Sequence, residues 1–133
     1  MVSRIECVTM DCADAQRLAA FWAAVLGYET HEDIEGWVVI REPRGVGPLM
    51  GFQQVPEGKI IKNRVHVDTT QVDDAWQDEV DWLASLGAIL VRYVDERPDE
   101  AHWIMEDPEG TSSAVSGTGR RRKAHLKSPP PGY

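Results

Sequence analysis

Residues Leu18–Glu29, LAAFWAAVLGYE, and Glu79–Leu90, EVDWLASLGAIL, carry one pattern twice. Trp22, Ala24, Leu26 and Gly27 in the first stretch fall on Trp82, Ala84, Leu86 and Gly87 in the second, a constant offset of 60 residues. The same offset reaches outward, matching Ile5 with Val65, Pro48 with Pro108, and Val55 with Val115. One register that holds across separate segments points to duplication. The chain therefore reads as a single domain, 1–117, made of two modules, 1–60 and 61–117, followed by a tail, 118–133.

The order of local signals is the same in each module. In the first, RIECVTMDC is a strand candidate rich in Ile, Val and Thr. Asp14 then caps a helix in which Leu18, Phe21, Trp22, Val25 and Leu26 recur at the spacing of a core-facing stripe. Gly27 ends that helix, and YETHEDI, WVVIRE and LMGFQQV follow as three short strands. The second module repeats this with RVHVDTT, a helix from about Asp73 to Leu86, and then AILVRYV, HWIMED and SSAVS. Asp73, Asp74 and Asp78 suit the start of its helix. The DPEG sequence at 107–110 has the residue preferences of a type I turn. The expected fold is α+β, with two βαβββ modules. A four-stranded sheet with one greasy helix cannot bury itself alone, so the modules are expected to pair about a pseudo-twofold axis. Their curled mixed sheets would then form a cleft suited to a small ligand.

Composition narrows the partners. The net charge is −8, yet the last 17 residues hold five basic side chains and no acid, leaving 9 basic against 22 acidic groups in the body. A body this acidic repels nucleic acid and anionic membrane. The tail GTGRRRKAHLKSPPPGY reads either as a solvated, disordered end or as an electrostatic arm for an acidic partner. No apolar run approaches the length of a membrane span. The N-terminal sequence lacks a secretory pattern, and Cys7 and Cys12 make no disulfide framework, so a reducing cytoplasm is the expected setting.

In KNRVHVD, Lys62–Asp68, Val65 and Val67 alternate with polar residues, which predicts a strand with Arg64, His66 and Asp68 on one face. Asp68 is placed to orient His66 and raise its pKa, making the two candidate acid/base groups, with Arg64 as a ligand contact. The competing reading is a structural network in which Asp68 and Arg64 satisfy each other. Trp37 and Trp103, on what the repeat makes equivalent middle strands, are either aromatic cleft walls for a planar ligand or plain core. Glu6 either faces the ligand or pairs with Arg4. Of Gln53 and Gln54, one must point away from the ligand-facing side. No phosphate loop and no Ser or Cys nucleophile motif is present.

Taken together, DCADAQRLAAFWAAVLG, GPLMGFQQVPEGK, KNRVHVD and DPEG resemble the glyoxalase-like branch of the vicinal oxygen chelate superfamily. That group includes glyoxalase I, extradiol dioxygenases and bleomycin-resistance proteins. The resemblance covers residues 4–116 and implies paired βαβββ modules, frequent homodimers, and, in catalytic members, a divalent metal held by His and Glu side chains. It places the four ligand positions at Glu6, Gln54 or its neighbour Gln53, His66 and Ala114. An alanine cannot ligate, and an amide oxygen is a poor substitute for a carboxylate toward a hard cation. The expectation is a small-molecule-binding protein with a metal-free cleft and no cofactor, which sequesters its ligand or performs acid/base chemistry. Two alternatives stand beside it: a divalent-metal lyase, isomerase or dioxygenase, with Asp68 as a possible substitute ligand, and a non-catalytic interaction module.

Overall fold

The computed structural model describes residues 1–70, 76–94 and 101–116. The chain divides into two compact units between Ile60 and Ile61. Each is a four-stranded mixed sheet with one helix, so the α+β class and the two similar modules are as the sequence predicts.

The first unit runs β1 (Cys7–Cys12), α1 (Ala15–Leu26), β2 (Glu29–Ile34), β3 (Trp37–Arg41) and β4 (Leu49–Gln54), with sheet order β1-β4-β3-β2. Asp14 caps α1 by accepting the Arg17 N–H at 3.0 Å, satisfying one of the donors that a helix start leaves open. Gly27 closes it in the left-handed region, at φ 65°, which lets the Tyr28 N–H reach back to the Ala23 carbonyl at 2.9 Å. Leu18, Ala19, Phe21 and Trp22 form the buried face of α1. The helix packs on β3 and β4, where Val38, Ile40, Met50 and Phe52 are buried. In the loop between β3 and β4, Glu42 takes N–H bonds from Arg44 and Val46. The Arg44 side chain, and then the Val46 amide, hold its carboxyl below the usual carboxylate range.

The second unit runs β5 (Thr69–Thr70), α2 (Trp76–Ser85), β6 (Ile89–Val94), β7 (His102–Glu106) and β8 (Ser112–Ser116), in the order β5-β8-β7-β6. Outer and inner strands pair with the same directions as in the first unit. Even the irregularity is duplicated. The register between β2 and β3 shifts between Thr30 and Glu32, and that between β6 and β7 shifts between Leu90 and Arg92, sixty residues on. The DPEG turn closes with the Gly110 N–H on the Asp107 carbonyl at 2.9 Å. Asp107 is buried, and its Oδ1 accepts the N–H groups of Glu109 and Thr111 at 3.0 and 2.9 Å.

Three expectations need correction. The strand predicted across Lys62–Asp68 is confined to Thr69–Thr70, and Val65, expected on the greasy face, is 73% exposed. The reason lies at Asp68, whose Oδ1 accepts the Ala114 N–H at 3.1 Å. A side chain thereby occupies the rung that a strand carbonyl would fill. Second, the repeated tryptophans are not equivalent in burial: Trp22 is 1% exposed and Trp82 is 42% exposed, because Val80 and Leu83 form the buried face of α2. Third, the first strand begins at Cys7, not Arg4. The expected helix-start acids Asp73 and Asp74 and the basic tail lie outside the described residues. Among the described residues, no helix is long and apolar enough to cross a membrane.

Candidate functional site

The first sheet has one face under α1 and one face turned away from it. Register assigns the residues: Thr9 pairs with Gly51, Asp11 with Gln53, and Trp37 with Gln53, while Met10 and Val38 pair with Phe52 on the helix side. The face away from α1 therefore carries Cys7, Thr9 and Asp11 on β1, Gly51 and Gln53 on β4, and Trp37 on β3. The choice left open between the two glutamines is resolved by this alternation. Gln53 stands on the face with Trp37, and Gln54 stands out of phase, paired with Cys12.

Trp37 is the largest group there. Its Nε1–H donates to Glu32 Oε2 at 3.1 Å. At the other end of the ring, Cη2 comes within 2.7 Å of the point where a Cβ on Gly51 would sit, and Thr9 Oγ1 and Cys7 Sγ approach the same point at 3.1 and 3.2 Å. The half-buried indole thus reaches from β2 over β4 because residue 51 has no side chain. Gln53 directs its amide nitrogen to the carbonyls of Gly36 and Gln54, both at 3.3 Å, so its amide oxygen remains the open acceptor. The Asp11 carboxylate is exposed and has no hydrogen-bond or ion-pair partner among the described residues.

Glu6 is placed elsewhere. It precedes β1, is out of phase with Cys7, Thr9 and Asp11, and its exposed carboxylate pairs with Arg4 at 3.2 Å.

In the second sheet the same register finds the equivalents. The pair His102–Ser116 corresponds to Trp37–Gln53, Trp103–Val115 to Val38–Phe52, and Ile104–Ala114 to Val39–Gly51. Trp103 is accordingly a core residue, 8% exposed, with its ring centroid 5.4 Å from that of Tyr93. It does not share Trp37's place. The offset of sixty fails here because the link from β6 to β7 is longer than the link from β2 to β3. On β5, Thr69 corresponds to Met10, and counting back puts Asp68 level with Thr9 and His66 level with Cys7.

Arg64, His66 and Asp68 are all exposed, and His66 bonds to neither of the others. Asp68 is instead committed to the Ala114 backbone. Asp68→Asn keeps an acceptor oxygen and should leave exchange of the Ala114 amide nearly unchanged. Asp68→Ala should speed that exchange about five- to tenfold, as for loss of one hydrogen bond. Equal exchange in both variants would show that the carboxylate does not hold this rung.

The residues at the metal-ligand places fit a divalent ion poorly. Glu6 is paired with Arg4, the Gln53 nitrogen is engaged and its oxygen is neutral, and Gly51 and Ala114, which register makes equivalent, carry no donor. Among the described residues, no three His, Cys, Asp or Glu side chains gather closely enough to hold an ion. Catalytic zinc takes three protein ligands, and harder cations need several oxygens.

Cys7, Thr9, Asp11, Gly51 and Glu32 are missing from the candidates that sequence reasoning supplies. One of them had a readable signal: an isolated glycine inside a strand marks a close approach by another group.

Residues 7–116 match the model of the Glyoxalase-like domain family. None of the curated proteins matches the chain. Among solved structures, a glyoxalase/bleomycin resistance protein/dioxygenase family enzyme from Burkholderia phytofirmans superposes with a TM-score of 0.70 at 18% identity, over 86% of this chain and 98% of its own. A possible glyoxalase from Bacillus cereus gives 0.65 at 17% identity, again over 86% and 98%. The fosfomycin resistance protein FosX from Listeria monocytogenes, solved as a mutant with Mn(II) and 1S,2S-dihydroxypropylphosphonic acid, gives 0.70 at 11% identity over 86% and 90%. At these identities the likeness is one of fold. The family match spans most of the chain, and the two sheets have the strand order just described: the protein belongs to the glyoxalase-like domain family of the vicinal oxygen chelate superfamily.

Proposed function

We propose that this protein binds a small, polar, planar molecule without a resident metal ion, and that it works as a homodimer in the cytoplasm. The observation that carries the reading is the donor set. At the two strand places that register makes equivalent, the sheets offer Gly51 and Ala114, which have no ligating atom. What the first sheet offers instead is an aromatic ring flanked by hydrogen-bonding groups, Trp37 with Thr9, Asp11 and Gln53. Such a face recognises a ligand by stacking and hydrogen bonds.

Sequestration is favoured over acid/base turnover. Asp68, the intended partner of His66, gives its Oδ1 to the Ala114 N–H, and among the described residues the imidazole has no orienting group. A general base needs both reach and a fixed tautomer. Trp103, being core, is left out of the binding set.

A second reading is a divalent-metal enzyme, which the Mn(II) bound to the fosfomycin resistance protein supports through fold alone. Native mass spectrometry of the full chain, purified without chelator, separates the two. The expected spectrum has an organic adduct on a dimer and no stoichiometric metal. A metal adduct that disappears in His66→Ala would favour the enzyme.

A further inference from the structure

We propose that Gly51 is a specificity-determining position, and that with Glu32 it sets Trp37 as a stacking plate for a planar cationic heteroaromatic ring. The inference rests on the small-molecule reading above and names the ligand class. Three observations carry it. The indole is tethered at one end, where Nε1–H meets Glu32 at 3.1 Å. At the other end, Cη2 occupies space that any side chain at residue 51 would claim, with 2.7 Å to an added Cβ. The register then sets two acceptors on the same face, the open amide oxygen of Gln53, which pairs with Trp37, and one strand further on the Asp11 carboxylate, which has no partner among the described residues.

The charge of that face selects the ligand's sign. Arg41, on the same strand as Trp37, is bound to Glu29 at 2.8 Å, so among the described residues of this sheet it supplies no uncommitted cation. Asp11 and Glu32 remain as carboxylates near the ring. A cation stacked on an indole gains from the ring quadrupole and from both acids. An anion of the same shape meets repulsion.

Gly51 is not required for the fold itself. Its backbone is outside the left-handed region, and Ala is at least as compatible with a strand. The three atoms an added Cβ would meet all belong to side chains, of which Trp37 Cη2 is the nearest. Gly51→Ala should therefore move the ring and leave the sheet intact.

The test uses the full chain labelled with 15N, the cation N-methylquinolinium and the anion 1-naphthoate. Wild-type protein should bind the cation more tightly than the anion. Gly51→Ala should shift the Trp37 indole N–H resonance and weaken the cation about three- to tenfold, the worth of one aromatic pair. Glu32→Gln, which retains an acceptor oxygen for the indole but removes one charge, should leave the Trp37 indole N–H resonance nearly in place and weaken the cation less than Glu32→Ala, which should weaken it to an extent similar to Gly51→Ala without touching β4. That second variant keeps the test intact if Gly51→Ala fails to fold. Tight cation binding that neither Gly51→Ala nor Glu32→Ala alters would overturn the role of this pair. Binding of neither probe, or preference for the anion, would overturn the ligand class. The metal-free reading is judged separately, by the adduct mass of the purified protein.

Discussion

Trp22→Ala is expected to destabilise the protein by about 3–5 kcal/mol, whereas Trp82→Ala, at the repeat-related position, should cost no more than about 1 kcal/mol. Trp22 is 1% exposed and packs edge-on against Phe21, with ring centroids 5.5 Å apart and the planes at 87°. Removing it leaves a large cavity beneath α1. Trp82 keeps 42% of its surface in water, and among the described side chains of α2 the buried ones are Val80 and Leu83. Urea unfolding followed by far-ultraviolet circular dichroism measures both without relying on the deleted indoles. Equal losses in the two variants would mean that the helices bury the same face, contrary to the structure.

Asp107→Ala should be the most costly polar substitution, at about 1–3 kcal/mol. Its carboxylate is buried and satisfies two backbone donors, Glu109 N–H and Thr111 N–H, that close the link between β7 and β8. Deleting it leaves the Thr111 amide, in a buried residue, without its acceptor. Asp107→Asn retains an oxygen at that place and should lose less than half as much in the same urea assay. If Asn proves as damaging as Ala, the negative charge matters and the two hydrogen bonds alone do not explain the residue.

Much of the fold is legible in the sequence because local signals and burial agree. Asp14, the stripe from Leu18 to Trp22, and Gly27 each state a piece of α1, and the structure uses every one. Six strand segments, from YETHEDI to SSAVS, follow from the Gly- and Pro-containing turns that separate them and from the matching order of the two modules. The KNRVHVD segment misleads because alternation describes which residues can share a face, not whether a partner strand is present. There, a carboxylate from Asp68 competes for the backbone donor of Ala114, and the ladder stops.

The site is less legible, for a geometric reason. A constant offset locates equivalent residues only while the linking loops keep equal lengths. The offset is 59 from Met10 to Thr69, 60 at the bulges at Thr30/Glu32 and Leu90/Arg92, and 65 from Trp37 to His102 after the longer β6–β7 link, so His102 and not Trp103 is the counterpart of Trp37. Facing direction changes with a one-residue slip. Glu6 is one residue away from Cys7, which stands on the face away from α1, and of the two candidate glutamines Gln53 stands there and Gln54 does not. Chemical type does not distinguish neighbouring strand residues; pairing does.

Calorimetric titration of the full chain with Mn2+, Zn2+ and Ni2+, beside a His66→Ala control, tests most directly the proposal that sheets carrying Gly51 and Ala114 at equivalent places hold no divalent metal. The expected result is no saturable uptake of any of the three ions that depends on His66. One ion bound per chain with high affinity, and lost in His66→Ala, would contradict it.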